Sequence, residues 1–275
     1  MLDARKRSVA LLLAAHGERR HGAANGSVTQ LAATLRDCAI AQEVAVGFIK
    51  GAPTINQSVR SLLASNIVVF PLFLSDGYFT RVRLPQLLRE ALAADMASRI
   101  RVLAPLGLHP ALAGLILDRL VAMARVRGVA PARAGVVLLA HGSRQDPASR
   151  TAGEQLAESV RQYSDFRAVR VALLEEAPSL SDVTCDMSGA VLVFGLFAGD
   201  GMHGAEDAPR LIGQLGRSDV HFAGTIASLD GIADLVARAV ARARICEQAT
   251  ATGCEEMLAS TYRAHVLSRD MARAL

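Results

Sequence analysis

The sequence predicts an α/β protein with parallel sheets, in two halves that arose by internal duplication. Apolar runs of strand length alternate with helical patterns along most of the chain, and the order of these elements recurs after about 125 residues. Alternation of this kind is typical of parallel β-α-β units, in which helices cover both faces of the sheet. A period this long indicates two duplicated domains rather than a solenoid.

The first half, residues 1–127, is predicted as one lobe. Its strands are Val- and Leu-rich runs closed by Gly or Pro, and its helices follow as segments of helical apolar spacing. In chain order we expect strand Val9–Ala15, helix Val28–Arg36, strand Val44–Ile49, helix Asn56–Ala64, strand Ile67–Leu74, helix Pro85–Ala94, strand Arg101–Ala104 and helix Pro110–Arg125.

The second half, residues 128–245, follows a linker at Arg127–Arg133 and is predicted as an equivalent lobe. In chain order we expect strand Val136–Ala140, helix Ala152–Tyr163, strand Val169–Leu174, strand Ala190–Phe197, helix Pro209–Leu215, strand Val220–Gly224 and helix Leu229–Arg244. Residues 246–275 are predicted as a helical tail, with a last helix at Met257–Leu275.

Composition narrows the class of protein. Hydrophobic residues make up 51% of the 275 and charged residues 20%, so the chain can bury a large core. Aromatic residues are only 4%, Trp is absent and no long basic run occurs, which argues against a nucleic-acid partner. The net charge of +4 suits an anionic small molecule.

Location is predicted from what the sequence lacks. The apolar segments are too short to span a bilayer, and the N-terminus has no signal-peptide pattern. The four cysteines form no C-x-x-C pair and match no zinc spacing. We therefore expect a cytoplasmic protein with reduced thiols and no membrane association.

Several residues that can bind a metal or accept a proton stand at the predicted strand ends. The repeat aligns the following pairs: His16 with His141, Lys50 with Glu175, and Phe79 with His203. Carboxyl ends of parallel strands meet at one edge of a sheet, where α/β proteins bind ligands. Two histidines and a glutamate there could hold a divalent transition metal or accept protons near neutral pH. Each residue alone is as well explained as an ordinary loop residue, so the hypothesis depends on the trio.

Three motifs resemble those of the CbiX-type class II chelatases, the sirohydrochlorin cobaltochelatases and ferrochelatases. They are H-G-S-R-x-D-P from His141, L-L-E-E-A-P-S-L around Glu175, and G-D-G-M-H-G-A-E-D-A-P around His203. The resemblance extends to about residue 245, because the first half carries H-G, G-A-P-T-I and F-P-L-F-L-S-D-G as a second copy.

The resemblance implies two flavodoxin-like, Rossmann-like lobes with a tetrapyrrole in the cleft between them. It implies insertion of Co²⁺ or Fe²⁺ into sirohydrochlorin or a related ring, for cobalamin or siroheme biosynthesis. His141, Glu175 and His203 would be catalytic, with His141 and His203 as metal ligands. Asp207 would favour a helix N-terminus and orient His203. No organic cofactor is implied, and the metal (Co²⁺, Fe²⁺ or Ni²⁺) is itself a substrate.

The substrate expected from the resemblance is an anionic tetrapyrrole fringed with carboxylates. Guanidinium groups are their natural partners, and the candidates are Arg144, Arg81, Arg83 and Arg210. In the first lobe, whose site is degenerate, Phe79 suits contact with a flat ring. The duplicated chain is expected to be a monomer with pseudo-dimeric lobes or a homodimer.

Two alternatives stay open at this point. One is a non-catalytic tetrapyrrole- or metal-binding protein of the same fold. The other is a flavodoxin-like binding or regulatory module in which His141 has no chemical role. Residue types also leave open whether His141 or His203 serves as base or as metal ligand, because neutral imidazole performs either function.

Overall fold

The computed structural model describes residues 8–17, 25–91, 99–143, 146–199 and 203–250. Within these ranges the first lobe contains a four-stranded parallel sheet, ordered β2-β1-β3-β4. Its strands are β1 (Val9–Ala15), β2 (Glu43–Phe48), β3 (Asn66–Pro71) and β4 (Ile100–Val102). The central strand β1 is buried along its whole length, as expected for a strand covered on both faces.

The second lobe repeats this arrangement. The described residues form another four-stranded parallel sheet, ordered β6-β5-β7-β8. Its strands are β5 (Gly135–Ala140), β6 (Ala168–Leu173), β7 (Val191–Gly195) and β8 (Val220–Thr225). The predicted fold class, with two parallel-sheet lobes, is therefore confirmed.

The helices lie between successive strands. They are α1 (Gly26–Asp37), α2 (Ile55–Ser61), α3 (Leu84–Ala91), α4 (Leu112–Val126), α5 (Ala148–Gln162), α6 (Leu180–Thr184), α7 (Ala208–Gln214) and α8 (Ile232–Thr250). Most helix bounds differ from expectation by a few residues, and α5 begins four residues earlier than predicted. Helix α6 was not predicted, and α8 begins after a 3₁₀ turn and continues beyond Arg244. The predicted helix at 257–275 lies outside the described residues. None of the described helices is long and apolar enough to cross a lipid bilayer.

Matching local structures confirm that the lobes are repeats. Thr54 begins α2 and Ser179 begins α6, and each closes a reciprocal capping box. A π-helical turn precedes α3 at Phe79–Arg83, and another precedes α7 at His203–Asp207. Such turns are rare and concentrate at functional sites, and both lie after the third strand of their lobe.

The last helix of each lobe packs on the other lobe. Helix α4 follows the first sheet in sequence but contacts α5, β7 and β8, while α8 contacts α1 and β3. Hydrogen bonds accompany the exchange: Arg119 Nε donates to the Ala223 carbonyl at 2.8 Å, and Arg101 Nη1 donates to the Ala243 carbonyl at 2.6 Å. The two lobes are therefore held together by reciprocal helix contacts.

Because each last helix packs on the other lobe, the two lobes share one apolar core. Alternate residues of β1 serve two cores: Leu11 and Leu13 join an apolar cluster shared by both lobes, and Ala10 and Leu12 join a cluster within the first lobe alone. A third cluster lies within the second lobe. Because side chains alternate along a strand, one face of each sheet builds the shared core. This core fixes the two sheets relative to each other.

Candidate functional site

His141 and Glu175 meet at the carboxyl edge of the second sheet. Ala140 and Leu173, the last residues of β5 and β6, lie opposite each other, and the next residues continue the pairing through a bond from Glu175 N–H to the His141 carbonyl at 3.1 Å. The side chains also approach, with His141 Nε2 at 3.6 Å from Glu175 Oε1. The structure thus brings together two of the three residues of the predicted trio.

The hydrogen bonding of His141 determines which ring nitrogen presents a lone pair. Its Nδ1 lies 2.9 Å from the Gly142 carbonyl oxygen. A carbonyl only accepts, so Nδ1 carries the proton and the lone pair of the neutral ring lies on Nε2, which faces Glu175. The side chains of His141 and Glu175 are 43% and 59% exposed, so both are accessible to solvent. Such a pair can bind a metal or accept a proton.

The glycine after each strand-end histidine is required by the backbone. Gly142 has φ +75°, and a Cβ there would lie 3.0 Å from Glu176 Cγ and 3.1 Å from Leu173 Cβ. Gly17, after His16, has φ +72°, and a Cβ there would lie 2.0 Å from the Lys50 carbonyl oxygen. The H-G dipeptide therefore reflects the turn that both lobes share.

Glu176 holds the loop that follows His141. Its Oε1 accepts a hydrogen bond from Ser143 N–H at 3.0 Å, and its Oε2 accepts one from Arg150 Nη2 at 2.8 Å. Arg150 also donates to the Ala177 carbonyl at 2.5 Å. Sequence reasoning gave Glu176 no role, although it is the second glutamate of the E-E pair. In the first lobe its counterpart is Gly51.

The third member of the trio lies on the neighbouring strand. His203 is the first residue of the π-helical turn after β7, but its side chain lies outside the described part of the structure. Asp207 stands at the start of α7 without capping it through its side chain, and it accepts a bond from Arg210 Nη2 at 2.9 Å. Among the described residues no three His, Cys, Asp or Glu side chains form a metal site. The role of His203 stays a prediction.

The corresponding edge of the first lobe is aromatic. The rings of His16 and Phe79 make an edge-to-face contact with centroids 4.6 Å apart, and Tyr78 packs on Phe79 at 5.5 Å. Tyr78 and Phe79 remain 53% and 37% exposed, and we call this pair the aromatic wall. Lys50 donates its backbone N–H to the His16 carbonyl at 2.7 Å. This edge offers an apolar surface where the second lobe offers donor atoms.

The four candidate arginines differ in their surroundings. Arg81 donates two hydrogen bonds to Asp76, which holds the pKa of the guanidinium above its ordinary value. Arg83 donates to Gln86 at 3.1 Å, and Arg210 pairs with Asp207. Arg144 lies outside the described residues. Because Arg81 and Arg83 belong to the same π-helical turn as Phe79, two of the candidates flank the aromatic wall.

Asp146 connects the two edges. Its Oδ1 accepts a bond from Ala148 N–H at 2.9 Å within its own loop, and its Oδ2 accepts one from Tyr78 N–H of the first lobe at 3.0 Å. These two bonds, led by that from Ala148, lower the pKa of the Asp146 carboxyl. Sequence reasoning assigned Asp146 no role, although it is the aspartate of H-G-S-R-x-D-P.

The fold and this edge define a class of protein: duplicated, two-lobed α/β proteins with donor atoms at the strand-end edge of one lobe and an aromatic surface at that of the other. The sequence profile of the CbiX family matches residues 10–123 and, a second time, residues 135–243. The chain belongs to the CbiX family. The resemblance inferred from the three motifs is therefore confirmed, and each lobe matches the family separately.

Individual relatives agree with this assignment. A Halobacterium salinarum protein named "Probable sirohydrochlorin cobaltochelatase" is 26% identical over 220 residues, which span 73% of this chain and 75% of that protein. The structure of CbiX, the terminal enzyme for biosynthesis of siroheme in denitrifying bacteria, superposes with a TM-score of 0.73 at 25% identity, covering 86% of this chain and 99% of that one. SirB from Bacillus subtilis with Fe³⁺ shares the fold, with a TM-score of 0.73 at 17% identity, covering 88% and 98%.

Proposed function

We propose that the protein is a chelatase that inserts a divalent metal, Co²⁺ or Fe²⁺, into sirohydrochlorin. The observation that carries the proposal is the His141–Glu175 pair, which presents nitrogen and oxygen donors 3.6 Å apart at the strand-end edge of a CbiX-family lobe. The related proteins named for sirohydrochlorin and siroheme support the choice of ring.

Metal insertion exchanges one divalent cation for two pyrrole N–H protons of the ring. The reaction therefore needs groups that hold a partly dehydrated cation and groups that take up protons. His141 binds the incoming metal through Nε2, since Nδ1–H is engaged with the Gly142 carbonyl. His203 supplies a second nitrogen ligand, and Glu175 accepts a proton or completes the coordination.

The first lobe binds the macrocycle. Phe79 offers an exposed aromatic surface on which a flat ring packs. The ring's carboxylates are bound by Arg81 and Arg83 beside the wall and by Arg144 and Arg210 from the second lobe. This division explains why Lys50 and Phe79 stand where the second lobe has Glu175 and His203.

The donor set does not choose between cobalt and iron, because imidazole nitrogen and carboxylate oxygen bind both ions. The same holds for Ni²⁺ as a competing substrate, so metal supply determines the product. We further propose that the chain acts in the cytoplasm and that its paired lobes provide a complete cleft without a second subunit. Light scattering at working concentrations tests the monomeric state.

The test is a spectroscopic insertion assay with sirohydrochlorin and Co²⁺, Fe²⁺ or Ni²⁺, comparing wild type with His141→Ala and His203→Ala. Both variants are expected to lose at least about 100-fold in kcat/KM, since general acid–base groups alone contribute on that order. His221→Ala, which removes an imidazole from β8, is the matched control and retains activity. Full activity in His203→Ala contradicts the trio. A wild-type protein that binds the ring without accelerating insertion is a carrier, not a chelatase.

A further inference from the structure

In the part of the chain that the structure describes, the carboxylate of Asp146 joins the loops at the two strand-end edges. Asp146 follows His141 by five residues. It bonds to the amide of Tyr78, which belongs to the aromatic wall. One side chain thus links the loop carrying the metal-binding histidine to the segment carrying the surface for the ring.

The aspartate at this position belongs to the half that has the donor pair. The bond from Ala148 N–H to Oδ1 fixes the orientation of the carboxylate and leaves Oδ2 directed at Tyr78. In the repeat, the counterpart of Asp146 is His21, which has no carboxylate. Position 21 therefore cannot supply the same carboxylate.

The first lobe leaves room for this contact through Gly77. A Cβ at Gly77 would lie 2.7 Å from Asp146 Oδ2 and 3.0 Å from Ala148 Cβ. Both distances are shorter than ordinary van der Waals contact, so a methyl group at position 77 would displace the carboxylate. The φ angle of Gly77 is not positive, so its backbone conformation does not require glycine. The contact with Asp146 depends instead on the absence of a side chain at position 77.

We propose that Asp146 is a positioning residue for metal insertion, which holds the aromatic wall at a fixed distance from the His141–Glu175 pair. The inference rests on the proposed function. The shared core holds the two sheets in place relative to each other, whereas Asp146 connects two surface loops that are not part of this core. Insertion requires the plane of the ring and the held metal to meet in one geometry, and small displacements of such groups reduce rates steeply.

The experiment compares Asp146→Ala, which removes the acceptor, with Gly77→Ala, which keeps the carboxylate but pushes it away. The matched control is Asp219→Ala, which removes an aspartate that pairs with Arg217 at the amino end of β8, remote from the edge. Three quantities are measured for each: kcat and KM for ring and metal, Co²⁺ affinity without the ring, and amide hydrogen exchange of residues 75–80.

Both test variants are expected to lose about 10- to 100-fold in kcat. Their Co²⁺ affinity stays within about twofold of wild type, because His141 and Glu175 are untouched, and exchange of residues 75–80 accelerates. Asp219→Ala matches wild type in all three. A purely structural role for Asp146 would lower thermal stability without this separation of kcat from metal affinity.

Three outcomes overturn the inference. The first is that Gly77→Ala retains activity and slow amide hydrogen exchange. The second is that Asp146→Ala weakens Co²⁺ binding as much as it lowers kcat. The third is that both variants keep the wild-type kcat. In each case an active wild type leaves the proposed function standing. An inactive wild type overturns the proposed function and the inference together, while the exchange measurement still reports whether Asp146 holds the loop.

Discussion

The turn after His141 permits a quantitative prediction, because the chain contains a matched glycine. Gly142 and Gly128 both have left-handed backbone, with φ +75° and +66°, but a Cβ at Gly128 would meet nothing within 4 Å. Gly128→Ala therefore incurs only the backbone term, about 1–2 kcal/mol. Gly142→Ala adds overpacking against Glu176 and Leu173, about 1–3 kcal/mol, for a total of about 2–5 kcal/mol.

Urea unfolding of the two variants and wild type measures these free energies, provided that the slope of the transition is unchanged. Gly142→Ala should also reduce metal insertion more than Gly128→Ala, because the displaced turn carries His141. If Gly142→Ala destabilises no more than Gly128→Ala, close packing against Glu176 does not constrain the turn. The explanation given for the H-G dipeptide would then be refuted.

Three further results are expected. Phe79→Ala is expected to raise the KM for sirohydrochlorin about tenfold and to leave the KM for Co²⁺ within about twofold, since an aromatic contact contributes on the order of 1 kcal/mol beyond its buried area. Equal changes in both KM values would exclude a role of the aromatic wall in binding the ring. Arg119→Ala is expected to lower the free energy of unfolding by about 1–3 kcal/mol, because the Ala223 carbonyl loses a charged donor. An unchanged midpoint of urea unfolding would show that this bond does not hold α4 on the second lobe. The Arg217 hydrogen bond lowers the pKa of the Asp219 carboxyl, so the stability that this carboxylate contributes is present above its unfolded-state pKa and is lost as pH falls through its folded-state pKa. Asp219→Asn should therefore reduce the fall in melting temperature at acidic pH. Identical curves of melting temperature against pH for the variant and wild type would count against this linkage.

The strands and the strand-end positions were predictable because they depend on local pattern. Apolar runs such as Val136–Ala140 report burial on both faces, and the repeat fixes equivalent positions across the two lobes. The meeting of His141 and Glu175 follows from this, since adjacent parallel strands place their ends side by side. The requirement for Gly142 follows from the turn.

The features that the sequence did not predict depend on distant contacts. The apolar pattern of α4 shows which of its faces is buried, but not that the partner is the sheet of the other lobe. The π-helical turn at Phe79 has no distinct residue signature. The bond from Tyr78 to Asp146 joins residues that local pattern cannot relate. Each becomes visible only when the two lobes are packed together.

The exchange of α4 and α8 explains how two similar lobes came to differ in chemistry. A single-lobe ancestor that paired with itself through this helix would have needed two identical partners, each with a complete site. Fusion of the two copies into one chain made the pairing permanent and removed the requirement for identity. One copy could then change its strand-end residues, as at Lys50 opposite Glu175, while its helix remained indispensable to the other. Asymmetry at the two strand-end edges is thus a consequence of a symmetry retained in the core.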